Sequence, residues 1–243
     1  MRTSDVERKR LTQRQQAQPE LPQRSSTEFQ APPFFLRDLA ATAEFIRLLA
    51  ESTFERGMAG SRIIEVGVGC RPVVHFLPGS YRACVDPLMD QYLALRRDAL
   101  DSGVDHFEAV AESLPFADRS FDLCITLNAI DVCRNPRRAV QEFGRVLDTP
   151  GYLVIGVNTY PAASRALRVA ASAGEIWRGS LSNPRVFSEK SLCSLVGKGF
   201  EVVRCVIERG DYPAERQKSK PRRFLDYLPY RCDKATLFAK KRS

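Results

Sequence analysis

Residues Ile63 to Pro72 form an apolar run that passes into Glu65-Val-Gly67-Val-Gly69, and a second apolar run ends seventeen positions after Gly69 in Val85-Asp86-Pro87. Closely spaced glycines at the end of a buried strand let backbone N–H groups approach a ligand that a side chain would block. A carboxylate at the end of the next strand is placed to accept hydrogen bonds from a ribose diol. The chemistry implied is recognition of a nucleotide-like cofactor. Gly-x-Gly alone is a weak pattern, and its weight comes from the acidic residue that follows at this spacing.

These residues need strands to carry them. Strand-like runs occur at 62–66, 82–86, 106–110, 123–127 and 152–157, separated by helical stretches after Pro72, at 89–102 and at 136–147. That alternation predicts a doubly wound, mostly parallel sheet of seven strands with helices on both faces. Right-handed crossovers then bring the strand ends carrying Gly67, Asp86, Glu112 and Asn128 to one edge. Ahead of the first strand, Leu36, Leu39, Ala43, Ile46, Leu49, Ala50 and Phe54 recur at helical spacing, predicting a helix from Phe35 to Arg56. Beyond Val157 a small-residue helix is expected over 162–173, then Ser188 as the N-cap of a helix over 189–196. Strands over 200–207 and 234–240 complete the sheet.

Residues 1–33 are rich in Gln, Arg, Ser and Pro and read as a disordered tail. The remainder, 34–243, reads as one domain with lid or insert segments around 158–190 and 208–233. With 243 residues the chain can bury a full core without disulfides or metal. The seven cysteines (Cys70, Cys84, Cys124, Cys133, Cys193, Cys205 and Cys232) contain no Cys-x-x-Cys pair, and His75 and His106 are the two histidines. No metal site is expected from these spacings, and a packing role is expected for both histidines. No N-terminal secretory segment and no apolar run of about 20 residues is seen, so a reduced, cytoplasmic setting is expected.

The net charge of +8 is concentrated at the end of the chain, where residues 204–243 hold twelve Lys/Arg against five Asp/Glu. The run Arg216-Gln-Lys218-Ser-Lys220-Pro-Arg222-Arg223 could meet an anionic substrate, a nucleic acid or a membrane surface. A solvated loop is the favoured reading, since no aromatic residue is interleaved in the run for stacking on bases.

The Glu-x-Gly-x-Gly turn and Asp86, in this helix and strand order, resemble a class I S-adenosylmethionine-dependent methyltransferase of the group that acts on small molecules. Three further segments carry the resemblance, which covers roughly 35–207. Residues 111–123 (Ala-Glu-Ser-Leu-Pro-Phe-Ala-Asp-Arg-Ser-Phe-Asp-Leu) resemble the entry to strand four. Arg145-Val146-Leu147 with Pro150-Gly151-Tyr152-Leu153 resembles the entry to strand five. Phe187-Ser188 with Gly199-Phe200-Glu201-Val202-Val203 resembles the entry to strand six.

The resemblance implies a Rossmann-like methyltransferase fold and S-adenosyl-L-methionine as methyl donor, with no metal. It implies that Gly67 and Gly69 admit the methionyl part, Glu65 orients its ammonium, and Asp86 holds the ribose. Ala111 and Glu112 would flank the adenine and Asn128 would line the floor near the sulfonium. Arg71 stands where the family often has a third glycine, and Val110 where many relatives are acidic. The histidine often found after strand four is replaced by Asn128-Ala129-Ile130-Asp131. The acceptor is expected to be a small molecule, with Asp131 and Tyr160 as candidates for proton removal. An RNA or protein substrate met by residues 216–223 is an alternative, as is a non-catalytic binding module. A dinucleotide dehydrogenase is disfavoured, since its fingerprint would place glycine where Pro72 stands.

Overall fold

A computed structural model describes residues 39–51, 57–69, 72–95, 103–166, 185–208 and 233–243. The expected tail, the ends of the first and 89–102 helices, Cys70, Arg71, Trp177, most of the 162–173 helix and the basic run 216–223 lie outside the described residues.

In chain order the described elements are α1 (Leu39–Glu51), β1 (Arg62–Val66), β2 (Tyr81–Asp86), α2 (Met89–Leu95), β3 (Asp105–Glu108) and β4 (Phe121–Leu127). These are followed by α3 (Pro136–Val146), β5 (Leu147–Thr159), α4 (Glu189–Val196), β6 (Phe200–Glu208) and β7 (Asp233–Lys241). The seven strands form one sheet in the order β3-β2-β1-β4-β5-β7-β6. All pairings through β5 are parallel, and β7 is antiparallel to both β5 and β6. The strand order reverses between β1 and β4, and a crevice outside the carboxyl ends of the strands at such a point is where open α/β sheets bind ligands.

Both sheet faces are packed, as the near-continuous apolar runs of the inner strands require. On one face Ile64, Val66, Cys124 and Ile155 meet Ala139, Val140 and Phe143 of α3 and Leu192 and Val196 of α4. On the other, Ile63, Cys84, Ile125 and Val154 meet Ala43, Ile46 and Ala50 of α1. The expected apolar stripe of the first helix therefore covers the sheet. Cys84 and Cys124 are fully buried and packed on opposite faces of the sheet.

Several boundaries differ from the sequence expectation, and those of β3 and β5 have a clear cause. β3 ends at Glu108, two residues early, because its partner β2 ends at Asp86, and Asp86 and Glu108 are the last register pair. β5 starts at Leu147, because that residue pairs with Phe121 before the register shifts to Leu123 and Tyr152. It also continues past Val157 to Thr159, since β7 supplies partners as far as Asp233. The last strand runs against the others, so the crevice edge receives the start of β7 rather than its end. Ser188 caps α4 and Ser191 returns the bond to the Ser188 backbone N–H, closing a reciprocal cap.

Candidate cofactor site

The turn after β1 is built on positive φ values, 77° at Gly67 and 58° at Gly69. The Gly67 N–H donates to the Val85 carbonyl at 2.7 Å, which draws the loop onto the end of β2. A Cβ at Gly67 would lie 2.2 Å from the Cβ of Ala129, so the loop also lies against the segment that follows β4. Only glycine satisfies both the dihedral and the approach.

Asp86 is 6% exposed and holds this loop in place. Its Oδ2 accepts the Gly69 N–H and its Oδ1 the Leu88 N–H, both at 2.9 Å. Burial pushes its carboxyl above the usual carboxylate range, against the bonds from Leu88 and Gly69, and Glu108 adds to the rise. Each carboxylate oxygen has lone pairs for about two hydrogen bonds, so one per oxygen remains for a diol. The residues present thus fit a ribose. Glu108, which the sequence reading passes over, is the cross-strand neighbour of Asp86. Only strand register reveals it.

Glu65 is placed differently from a residue that reaches into the crevice. It is 2% exposed, and its Oε2 accepts the Val74 N–H at 2.8 Å, with Val73 also donating. It thereby anchors the turn at 74–76 that follows the glycine loop. Burial, opposed by these two bonds, raises its carboxyl from the ordinary 4.5 to about 8. The folded state therefore favours the protonated form. The stability this contributes is full below about pH 4.5 and is lost as pH rises through 8. Relative to Glu65→Gln, the wild-type protein is expected to lose on the order of 5 kcal/mol between these limits. Urea unfolding at several pH values checks this, and parallel pH profiles for the two proteins would refute it.

Ala111 packs on the core face that carries α3, and Glu112 accepts the Asn135 N–H at 2.8 Å, at the start of α3. Glu112 thus joins the segment after β3 to the helix after β4. Asn128 has φ 53°, a left-handed conformation that asparagine tolerates better than most residues. Its N–H donates to the Gly156 carbonyl at 2.7 Å, fixing the end of β4 against β5. Such backbone conformations gather at functional sites.

Asp131 and Tyr160 are brought to one short segment. The Arg185 N–H donates to the Asp131 carbonyl at 2.7 Å, and the Tyr160 N–H to the Phe187 carbonyl at 3.0 Å. Thr159 and Phe187 also form a bridge. A cavity of about 550 Å³ opens beside this segment, lined by Asn135, Arg137, Arg185, Phe187, Ser188 and Lys190 among others. None of the residues expected to bind the cofactor lines it. It is a basic hollow at the starts of α3 and α4, separate from the glycine loop, and neither Asp131 nor Tyr160 lines it.

A pair that sequence reading missed holds the segment around Leu114 and Phe116. Arg145 donates to Glu142 through Nε and Nη2 at 3.0 and 2.8 Å, and to the carbonyls of Phe116 and Leu114 at 2.7 and 3.0 Å. Glu142 in turn accepts the Leu114 N–H at 3.0 Å. The segment that follows Glu112 is thereby clamped to α3. The amphipathic spacing of α3 showed a helix, but nothing local in the sequence says that a buried glutamate holds a loop 28 residues away.

The fold is that of the class I S-adenosylmethionine-dependent methyltransferases, and residues 65–155 match a family model described as a methyltransferase domain. A Bacillus subtilis (strain 168) protein named as a methyltransferase, YrhH, is 29% identical over 106 residues, covering 40% of this chain. The chain spans 58% of the length of that curated relative. Among solved structures, a protein from Bacillus halodurans C-125 described as a methyltransferase is 18% identical, with a TM-score of 0.63. The match covers 85% of this chain and 99% of that one. The 1,6-didemethyltoxoflavin-N1-methyltransferase of Burkholderia thailandensis is 14% identical, covering 85% and 79%, with a TM-score of 0.57. Among the described residues, no helix is long and apolar enough to cross a membrane.

Proposed function

We propose that residues 34–243 form one domain that transfers the methyl group of S-adenosyl-L-methionine to a small-molecule acceptor. The observation that carries this reading is the buried Asp86 carboxylate, which holds the glycine loop by Gly69 and keeps acceptor capacity for a ribose diol. When bound, the sulfonium supplies an electrophilic methyl group for in-line displacement. Asp86 would accept the two ribose hydroxyls in charge-assisted bonds. Gly67 and Gly69 would let the methionyl part lie along the backbone, with the Glu65 carboxyl beneath the loop near its ammonium. Ala111 and Glu112 would border the adenine, and Asn128 the reacting centre.

Alignment of the two reactants can itself supply several kcal/mol of such a displacement. Removal of a proton from the acceptor would fall to Asp131 or Tyr160. The Burkholderia neighbour, whose structure holds the small molecule 1,6-didemethyltoxoflavin, supports the small-molecule class. Calorimetry with S-adenosylmethionine and S-adenosylhomocysteine tests the reading, and absence of binding to either would end it. With an accepted substrate, Asp131→Asn or Tyr160→Phe is expected to lower kcat at unchanged cofactor affinity. Unaltered kcat in both would remove these two residues from the chemistry.

A further inference from the structure

Three potential metal ligands from separate elements converge behind the cofactor loop. Cys84 of β2 and His106 of β3 are register partners, so their side chains leave the sheet on the same face. His75 lies in the one-turn helix Val74–Phe76 that packs over this face, and Arg82 of β2 donates to its carbonyl at 3.2 Å. One donor atom from each of His75, Cys84 and His106 lies within 4.8 Å of the other two. The two imidazole rings stand 5.6 Å apart at 58°.

The histidine geometry is that of a ligand. Nε2 of His106 is a buried atom with no hydrogen-bond partner, while the Val104 backbone bonds the same ring. That bond must therefore engage Nδ1, which donates to the Val104 carbonyl and leaves the Nε2 lone pair facing the cluster. A metal-ligating histidine is commonly oriented by a backbone carbonyl on its other nitrogen in this way. Left alone, a buried acceptor without a donor is costly.

We propose that His75, Cys84 and His106 bind one zinc ion, which clips the turn after the glycine loop to β2 and β3. Zinc bonds of about 2.3 Å to sulfur and 2.0–2.1 Å to nitrogen place tetrahedral donors roughly 3.3–3.7 Å apart, within reach of small side-chain rotations. Two imidazoles and a thiolate suit this ion. Binding releases the Cys84 thiol proton to solvent and forms the zinc–sulfur bond, with both imidazoles neutral and water in the remaining position. Spacing in the sequence does not reveal this set, since no two of its members are within a ligand motif's distance. The site stands apart from methyl transfer and does not depend on it.

Cobalt(II) is the probe, titrated into the reduced, metal-stripped full chain. One equivalent is expected to give a thiolate-to-cobalt charge-transfer band and the strong visible absorption of a tetrahedral site, both displaced by zinc. Cys84→Ser and His106→Gln are each expected to weaken binding on the order of 100-fold or more. Cys124→Ala, on the opposite sheet face, is expected to keep the band. As a second measurement, zinc is expected to raise the melting temperature of the wild-type protein by mass action. A wild-type chain with neither the band nor the shift overturns the site, as does a band that survives Cys84→Ser.

Discussion

Asp86→Ala is expected to weaken S-adenosylmethionine binding on the order of 100-fold or more. Two hydrogen bonds to a carboxylate are worth about 1.5–3 kcal/mol each, and 1.4 kcal/mol corresponds to a factor of ten. The same carboxylate accepts the N–H groups of Gly69 and Leu88, so its loss also frees the glycine loop from β2. Two effects therefore act together, and Asp86→Asn separates them. Asparagine keeps one carbonyl acceptor for a backbone N–H but loses the charge and the second acceptor. Its amide NH2 faces the other N–H, so it is expected to lose about 1–3 kcal/mol of stability and still to bind the cofactor at least tenfold more weakly. Calorimetry gives the affinities, and circular dichroism with urea unfolding gives the stabilities. If Asp86→Asn binds as the wild type does, Asp86 serves only the loop and the ribose lies elsewhere.

The residues that carry the fold were the most legible. Apolar runs of four to six residues ending in Gly67, Asp86 or Asn128 can only be inner strands of a two-faced sheet, and both faces prove to be covered. The direction of β7 was not legible, because an apolar strand reads alike in either sense. Within the candidate site, residue types pointed to the tight turn at Gly67 and Gly69 and to the buried acceptor Asp86. Partners could not be read for Glu65 and Glu112. Each proves to hold a backbone N–H, of Val74 and of Asn135, and those partners are fixed by packing rather than by local pattern. Asp131 and Tyr160, 29 positions apart, meet the same segment at 185–187 for the same reason. Long-range pairing also hid the clamp on the 112–118 segment.

That clamp has the second large expected effect. Glu142 is 5% exposed on α3, and Arg145 spans from it to the carbonyls of Leu114 and Phe116. Burial alone would raise the Glu142 carboxyl, yet the Arg145 and Leu114 bonds and the charges of Arg145 and Arg138 outweigh it and hold the group below the usual range. Glu142→Ala leaves the Leu114 N–H without its acceptor and Arg145 without its main counter-charge. Removing one partner of a fully buried pair costs about 3–5 kcal/mol, and because Arg145 is partly exposed the expected loss is nearer 2–4 kcal/mol. The pH dependence has the opposite sign to that of Glu65. A lowered carboxyl contributes stability above the unfolded value near 4.5 that is lost as pH falls, so the deficit of Glu142→Ala is expected to shrink on acidification. Because the clamp holds the segment next to Ala111 and Glu112, which are proposed to border the adenine, cofactor affinity is expected to fall with stability, though less than for Asp86→Ala. Thermal melts at neutral and acid pH, alongside calorimetry, measure both. A deficit that stays constant down to acid pH would mean that Glu142 acts through packing alone, and a melting temperature equal to the wild type would mean that the segment is held by other contacts.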